Sequence, residues 1–430
     1  MIGLCLVWRS TRPRVHPNLA DKYKGFHLQL KPALSAWMLI SALLYPAATL
    51  AATYYVATIG NNSNPGTEKK PWGTVSYAVA TMVAGDTTYV RGGTYNENEI
   101  RFSKSGTPTA AIKLLNYPGE FPTLHFNDPT RLHRILLQHG SGSRNPMGWI
   151  TIEGFEIANA YDGIKMHNGH DVTIRRNWIH DSLYQGILGN GTRILIDRNT
   201  INHNGGVAEC AVYRPRCTLD HGIYMNGTGI MITNNLIYDN LCYGVQANGK
   251  ASYDPAKHPG PEYVHSSNWV IANNTIAYNG CSGIVVWGST LLNLRIENNL
   301  FYENAVQKGS SAVQGIHFVW MTSTRIIINN NHFYASGVGG TLAFGLGAIN
   351  NVHYTQSGNI VNMSPPEFIN APATLPRSPN FSLTARSPAI DAGGTIPTIR
   401  EAFDSTPRPQ GRAFDIGAYE YKVDDDGKEH

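Results

Sequence analysis

Hydrophobic and polar residues alternate in short runs through most of this chain, and turn-forming residues separate the runs. In the clearest runs a Gly is followed by Ile or Val and then by alternating residues, a phrase that recurs at 162–167, 185–190, 221–226 and 243–248. Alternation with a period of two puts successive side chains on opposite faces of a strand. The pattern therefore predicts many short β-strands, each with one buried face.

A second phrase, apolar-x-apolar-x-x-Asn-x-Ile, accompanies the first from residue 150 onward. Its asparagines are Asn177, Asn199, Asn235, Asn274, Asn299 and Asn331, so successive copies lie 22, 36, 39, 25 and 32 residues apart. We interpret the shorter steps as the basic repeat and the longer ones as repeats with insertions. Since a single strand cannot bury its apolar face alone, successive repeats are expected to stack into one continuous core.

The repeated Asn has a physical reason to lie at a tight bend. Asn tolerates the left-handed backbone conformation, and its amide can hydrogen-bond to the next Asn of a stack. An asparagine ladder of this kind resembles that of the pectate-lyase-like β-helix superfamily, over roughly residues 53–365. The resemblance implies an all-β fold, a right-handed single-stranded parallel β-helix with three short strands per coil. In that layout the Gly-Ile phrase is the first strand, and the Asn bend separates the second strand from the third.

The segments on either side of the repeat are expected to cap it. Residues 71–80 have apolar positions near helical spacing and resemble the N-terminal cap helix of secreted β-helix proteins. Residues 366–421 resemble the terminal segment of many such bacterial proteins, and we expect them to cover the last coil. The predicted organisation is a leader with a signal peptide at 1–51, a capped β-helix at 52–365, a C-terminal capping segment at 366–421 and a disordered tail at 422–430.

The leader is predicted from an apolar run at 33–50, which follows Lys31 and ends in small residues. This arrangement is typical of a secretory signal, although the length is also near the minimum for a membrane span. Cleavage is the preferred interpretation, which predicts a secreted, extracellular or periplasmic monomer without stable membrane insertion. The leader carries six of the 34 basic and one of the 30 acidic residues. The remaining chain is thus nearly neutral, and its charge does not indicate a nucleic-acid partner.

Composition agrees with a many-stranded protein. The 43 glycines, the frequent Asn and the charged fraction of 15% argue against a helical fold, because Gly and Asn weaken helix interiors. Four cysteines follow the leader, and an even number in an oxidising compartment favours disulfides. Cys210 and Cys217 are expected to staple one loop. Cys242 and Cys281 each lie two residues before a repeat glycine, so they stack on adjacent coils as a bridge or as a reduced pair.

The resemblance also implies where a ligand would lie. Relatives bind their saccharide over the outward side of the first strand, so the residue two places after each repeat glycine is expected to face it, and the glycines themselves are expected to leave room for it. The residues that directly follow the glycines then point inward. The outward set is Lys165, Tyr224, Gln246 and His317, and the inward set is Ile164, Ile223, Val245 and Ile316.

An extended groove lined by basic and phenolic side chains suits the cleavage of an acidic polysaccharide by β-elimination. That reaction needs a group to neutralise the uronate carboxylate, a base for the proton at C5 and an acid for the leaving oxygen. His221 is predicted as the base because its ordinary pKa lies nearer neutrality than that of Lys. Tyr224 is predicted as proton donor or second base. Lys165 is predicted as a carboxylate binder together with Arg214 or Arg216, and as the alternative base.

Other residues of the same face complete the candidate site. Asp220 joins the catalytic candidates, and Asp162, His167 and Gln246 join the substrate-binding ones. Asp162 and Asp220 precede glycines two coils apart, roughly 10 Å, which leaves an inverting glycoside hydrolase as an alternative. A non-catalytic glycan-binding β-helix of the cell surface is the third hypothesis. No cofactor is assigned from the sequence, and a need for Ca²⁺ stays open.

Overall fold

Short parallel strands, stacked coil upon coil, make up most of the described chain. The structure is a computed structural model that describes residues 51–139, 145–206, 220–249, 266–288, 291–305, 315–319, 325–336, 344–347, 353–372, 374–376 and 378–422. Its helix α1 is Val75–Thr81. Residues 1–50 of the predicted leader, most of the predicted tail and the two cysteines of the predicted loop staple lie outside these residues. Within them, no helix is long and apolar enough to cross a membrane.

The strands of the first part of the chain are β1 (Thr53–Val56), β2 (Thr87–Val90), β3 (Thr94–Glu97), β4 (Ile100–Phe102), β5 (Ile112–Asn116), β6 (Thr123–Phe126), β7 (Ile135–Leu137), β8 (Met147–Glu153), β9 (Glu156–Ala158), β10 (Ile164–Arg175), β11 (Trp178–His180), β12 (Ile187–Asp197), β13 (Thr200–Asn202) and β14 (Ile223–Thr233). They are followed by β15 (Leu236–Tyr238), β16 (Val245–Asn248), β17 (Ser266–Ala272), β18 (Thr275–Ala277), β19 (Ile284–Trp287), β20 (Leu291–Glu297), β21 (Leu300–Tyr302), β22 (Ile316–Val319), β23 (Ile326–Asn329), β24 (His332–Tyr334), β25 (Phe344–Gly347), β26 (Tyr354–Ser357), β27 (Ile360–Val361), β28 (Phe368–Asn370) and β29 (Asn380–Leu383).

Each coil contributes strands in the order predicted, and the third strands form a separate sheet. That sheet runs from β3 to β27. The first and second strands belong to one larger sheet, because in β10, β12 and β14 they join into single strands of 11 or 12 residues. The prediction of three short strands per coil is thus modified in these coils. Pairing between neighbouring coils is parallel throughout both sheets.

Inward residues of the first strands stack in register. Ile164 pairs with Ile187, and the column continues through Ile223, Val245, Ile284 and Ile316. All six side chains are fully buried. Burial of an aliphatic side chain is worth about 1.5 to 3 kcal/mol, so this column is a main source of stability. The predicted inward direction of Ile164, Ile223, Val245 and Ile316 is confirmed.

The asparagine ladder is also confirmed, and it extends one coil further than the repeat predicted. Each ladder Asn donates from Nδ2 to Oδ1 of the next, over 2.9 to 3.1 Å, from Asn177 to Asn359. A second ladder, which the sequence analysis missed, lies after the third strand and consists of Asn204, Asn240, Asn279 and Asn304. These side chains satisfy buried backbone groups at both bends, which strands alone cannot do.

The N-terminal helix closes one end of the core. Val75 and Ala78 of α1 are fully buried in the main hydrophobic cluster. Glu97 accepts hydrogen bonds from the N–H groups of Val75 and Ser76, and thereby caps the helix start. The predicted cap helix is present, beginning four residues later than the pattern suggested.

The C-terminal segment extends along the side of the coils, and its predicted covering of the last coil stays a prediction. Ala418 donates to Thr275 Oγ1, and Arg176 reaches Ser405 at 2.6 Å. The segment is fixed internally by Arg408, which is buried against Glu420 and Gly417. Packing against several successive coils couples them, because separation of any one coil would expose part of the same interface.

Candidate active site

The glycines that open the first strands form a column, and their role is structural. A Cβ on Gly163 would lie 2.5 Å from Ile179 Cγ2, and a Cβ on Gly222 would lie 2.9 Å from Asn240 Nδ2. The space beside these glycines is therefore filled by the third strand and the second ladder. The prediction that they leave room for a ligand is wrong, because their open side faces the interior of the coil.

The residues two places after the glycines form the outward column that was expected, but most of its later members are covered. In register the column is Arg101, Leu136, Lys165, Leu188, Tyr224, Gln246, Val285 and His317. Gln246 is 5% exposed and Val285 is completely buried, whereas Lys165 and Tyr224 are partly exposed. Leu188 separates Lys165 from Tyr224, so their Cα atoms lie roughly 10 Å apart, at two strand spacings.

Lys165 lies in a cluster of opposite charges. Its Nζ is 3.8 Å from Asp162 Oδ2, and Arg134 Nη1 donates to the same oxygen at 2.8 Å. Arg134 and Asp162 are buried, while the Lys165 side chain is 22% exposed. Burial lowers the pKa of Lys165, Asp162 opposes that shift and Arg134 adds to it. Burial likewise raises the pKa of Asp162, against the attraction of Lys165 and Arg134. The site thus holds an accessible amine that gives up its proton more readily than an ordinary lysine.

Two further side chains, His167 and Arg101, lie on the same face as this amine. His167 lies two residues beyond Lys165 on β10, and burial together with Lys165, Arg134 and Arg101 lowers its pKa. Its imidazole is therefore neutral near pH 7 and can both donate and accept a hydrogen bond. Arg101 is 39% exposed and pairs with Glu99 at 2.8 Å. Lys165 and Arg101 thus supply two cationic side chains to this part of the outer face.

His221 does not face solvent. It is completely buried, and its ring centroid lies 5.7 Å from that of Tyr224 and 5.0 Å from that of Tyr243. Its Nδ1 accepts a hydrogen bond from the Tyr243 N–H at 3.4 Å. Burial lowers the pKa of His221 to about 3. The sequence analysis predicted His221 as the base, but in this conformation its buried ring cannot reach a substrate.

Burial also separates the remaining candidates from solvent or from one another. Asp162 and Asp220 are 1% and 2% exposed, so neither presents its carboxyl group to a saccharide as an inverting hydrolase requires. Burial raises the pKa of Tyr224, which keeps the phenol protonated. Arg214 and Arg216 lie outside the described residues, so their predicted role in carboxylate binding stays a prediction.

The cysteine register is correct. Cys242 and Cys281 form a disulfide whose Cα atoms lie 4.4 Å apart. Both residues are buried beside Tyr243 and Val285. The bridge joins two neighbouring coils at the outer face of the first sheet, so of the two alternatives left open by the sequence the oxidised one is present.

Sequence reasoning missed the arginines of the site. Arg134 precedes β7, whose Ile-Leu-Leu sequence lacks the glycine that marks the other first strands. The contact of Arg134 with Asp162 can be recognised only from the coil register, which pairs Ile135 with Ile164. Arg101 precedes the recognisable repeat in the same way. A search for the alternating pattern without its glycine would have found the strand of Arg101, Ile100–Phe102, but not the uniformly apolar Ile135–Leu137.

The described residues do not fit a metal site. Among them, no three or more His, Cys, Asp or Glu side chains are grouped so that they could hold an ion. We therefore derive no step through calcium.

Comparison with known proteins supports the fold assignment. Residues 54–230 match the family described as Pel9A-like, right-handed β-helix region. Pectate lyase PEL9 of Emericella nidulans is 41% identical over 87 residues, which are 20% of this chain and 20% of that protein. The uncharacterized protein YwoF of Bacillus subtilis is 29% identical over 130 residues, or 30% of this chain and 22% of that protein. The match thus spans about a fifth of each curated relative.

Two solved structures are similar to this chain at low sequence identity. Pectate lyase Pel9A is 17% identical, with a TM-score of 0.49, and the alignment covers 86% of this chain and 96% of that one. A rhamnogalacturonan lyase is 15% identical, with a TM-score of 0.46 and coverage of 78% and 97%. From its coils and its asparagine ladder, the chain is a right-handed parallel β-helix protein, and its residues 54–230 match the Pel9A-like β-helix family.

Proposed function

We propose that this protein is a secreted polysaccharide lyase that cleaves a uronic-acid-containing glycan by β-elimination over its first strands. The observation that carries the proposal is the environment of Lys165. This amine is accessible on the outer face, and its pKa is lowered by burial. Similarity of part of the chain to a pectate lyase agrees with the proposal, and the predicted signal at 33–50 agrees with secretion.

Lys165 replaces His221 as the base of the reaction. The neutral amine removes the proton at C5 of the uronate, the C4–O bond breaks, and a double bond forms between C4 and C5. The leaving oxygen takes its proton from water, since the site is open to solvent. A lowered pKa increases the fraction of Lys165 that is deprotonated near neutral pH, which is what a general base requires.

The other side chains act on binding. Arg101 occupies the same outward column as Lys165, two coils away, and is positioned to pair with a uronate carboxylate. His167 and Tyr224 carry neutral groups that can hydrogen-bond to sugar hydroxyls. Asp162 and Arg134 do not contact the glycan. These two buried residues orient Lys165 and adjust its pKa, so we regard them as positioning residues.

The experiment is a product assay on the mature chain with pectate, rhamnogalacturonan, alginate, glycosaminoglycans and neutral glycans. A lyase produces an unsaturated uronate that absorbs in the ultraviolet, a hydrolase produces reducing ends without that absorbance, and a binding protein produces neither. We expect ultraviolet-absorbing product from at least one acidic glycan. Reducing ends without absorbance, or no product from any acidic glycan, would contradict the proposal.

Substitution of Lys165 tests its assignment. Lys165→Ala is expected to lower kcat by about a hundredfold or more, because a general base typically contributes about 10²- to 10⁴-fold of rate. Lys113→Ala is the matched control, since Lys113 is an exposed lysine on β5 of the same sheet. Activity of Lys165→Ala equal to that of Lys113→Ala would show that another residue is the base.

A further inference from the structure

We propose a saccharide subsite in a cleft beside Lys165, with Trp149 as its stacking platform. The inference rests on the proposed function for the nature of its ligand. The cleft has a volume of about 390 Å³ and lies over β8, β10 and β12, so it crosses three successive coils. Its lining includes Trp149, Asn168, His170 and Arg193. Lys165 and Asn168 are three residues apart on β10, about 10 Å along the strand.

The cleft carries the groups by which proteins hold sugar rings. Trp149 is partly exposed, and the ring of His170 meets it edge-on, with centroids 4.3 Å apart. His170 Nδ1 contacts Asp171 Oδ2 at 3.0 Å, which fixes the imidazole and directs Nε2 away from that carboxylate. An aromatic face packs against the apolar face of a sugar, while ring nitrogens bond to its hydroxyls.

Arg193 supplies a second polar group. Its Nε and Nη2 bond to the two oxygens of Asp171 at 2.7 and 2.6 Å. Within the described residues nothing bonds to Arg193 Nη1 or to His170 Nε2, so both are available to a ligand. The side chain of Arg193 is 62% exposed, and it is held in place by a carboxylate that is itself only 26% exposed. A guanidinium fixed in this way loses little freedom when it binds.

The backbone conformation of this column shows which substitution the cleft residues should tolerate. Trp149, Asp171 and Arg193 stack in register, and all three have a positive φ, of 51°, 52° and 55°. The same column continues as Gly229, Asn268, Asn293 and Arg325. Gly, Asn and Asp accept the left-handed conformation readily, whereas Trp and Arg do not. At Trp149 and Arg193 the chain thus bears a conformational cost that Asn would avoid.

Because Asn accepts the left-handed conformation, Asn substitutions can test the proposed subsite. Trp149→Asn and Arg193→Asn remove the side chains but suit the backbone, as Asn268 shows in the same column. If the two residues were structural, replacement would leave glycan binding unchanged. If they form a subsite, the variants keep or raise the melting temperature and lose affinity. Trp178→Asn is the control, because Trp178 is 37% exposed but lies on β11 of the other sheet.

The experiment is calorimetric binding of hexamers from polygalacturonate, rhamnogalacturonan and alginate to the Lys165→Ala protein. We expect at least one hexamer to bind, Trp149→Asn and Arg193→Asn each to weaken that binding at least tenfold, and Trp178→Asn to leave it unchanged. Unchanged affinity in both cleft variants, or no binding by any hexamer, would overturn the subsite. Failure of the proposed function is seen separately, as the absence of ultraviolet-absorbing product when the parent protein is incubated with the polysaccharides from which these hexamers derive.

Discussion

The Lys165 amine lies 3.8 Å from a carboxylate oxygen of Asp162 that is already engaged by Arg134. Asp162 therefore attracts the protonated form of Lys165 less than a free carboxylate would, because Arg134 neutralises much of its charge. Burial and Arg134 favour the neutral amine, and Asp162 favours the charged one. The balance among three side chains on two coils sets the pH at which Lys165 can act as a base.

Asp162→Asn is expected to shift the pH profile of the lyase to lower pH. Activity of a lysine base rises with pH through its pKa, because only the deprotonated amine accepts a proton. The negative charge of Asp162 raises the pKa of Lys165, so its removal lowers that pKa and moves the ascending limb to lower pH. The profile of kcat/KM on the best substrate measures the shift.

The matched control for this prediction is Asp128→Asn, because Asp128 is an exposed carboxylate paired with Arg131, a residue outside the proposed site. Its profile should coincide with that of the parent protein. If the ascending limb of the Asp162→Asn profile moved to higher pH, or did not move, Lys165 would not be the group being titrated.

Asn235→Ala is expected to destabilise the β-helix by on the order of 3 kcal/mol. The Asn235 amide donates to Ile196 O and to Asn274 Oδ1, and its Oδ1 accepts from Asn199. Each buried group left without a partner costs about 1 to 3 kcal/mol. The shift of the urea midpoint measures the loss. Asn359→Ala, at the partly exposed end of the ladder, should cost much less because water can replace the amide, and equal costs would argue against the ladder as the cause.

Removal of the Cys242–Cys281 bridge is expected to lower the free energy of unfolding by about 3 to 4 kcal/mol. The two cysteines are 39 residues apart, and closing a loop of this length restricts the unfolded chain by about that amount. A reducing agent should lower the melting temperature of the parent protein. The double variant Cys242→Ala/Cys281→Ala should melt at the lower temperature and respond less to the reductant. A double variant as stable as the oxidised parent would contradict the prediction.

The coil register could be predicted from the sequence because it depends on local periodicity. Ile164 and Ile223 are placed by alternation alone, and Cys242 and Cys281 are placed by their distance from a repeat glycine. Both inferences need only the strand period and the spacing between coils. Residues before the repeat glycines are harder to place, because the chain bends there and alternation no longer gives their direction.

The accessible site could not be predicted in the same way, because exposure depends on what covers a residue. Tyr224 and Val285 occupy the same outward column, yet one is partly exposed and the other is completely buried. Arg134 enters the site from a coil that the repeat phrase does not mark. From the sequence alone, His221 is expected to have the ordinary pKa of a histidine. Only the rings that pack against it in the structure show that it is buried.

His221 leads to a prediction about acid stability. Its pKa in the folded protein is lowered to about 3, whereas an unfolded histidine titrates near pH 6.5. Between these values the unfolded chain binds a proton that the folded chain does not, so the free energy of unfolding falls as pH falls. The expected loss is about 1.4 kcal/mol per pH unit inside that window. Urea unfolding at pH 7, 6, 5 and 4 measures it, and His221→Asn should flatten this dependence.

His203 provides a control of opposite sign. It is exposed, and its hydrogen bond to Asp181 raises its pKa. A raised pKa contributes stability that is complete below pH 6.5 and is lost as pH rises through the folded value. His203→Asn should therefore destabilise the protein more at low pH than at high pH. His221→Asn should instead reduce the difference between the free energies of unfolding at low and at high pH. If His221→Asn kept the full acid dependence of the parent protein, the buried, neutral state of this imidazole would be refuted.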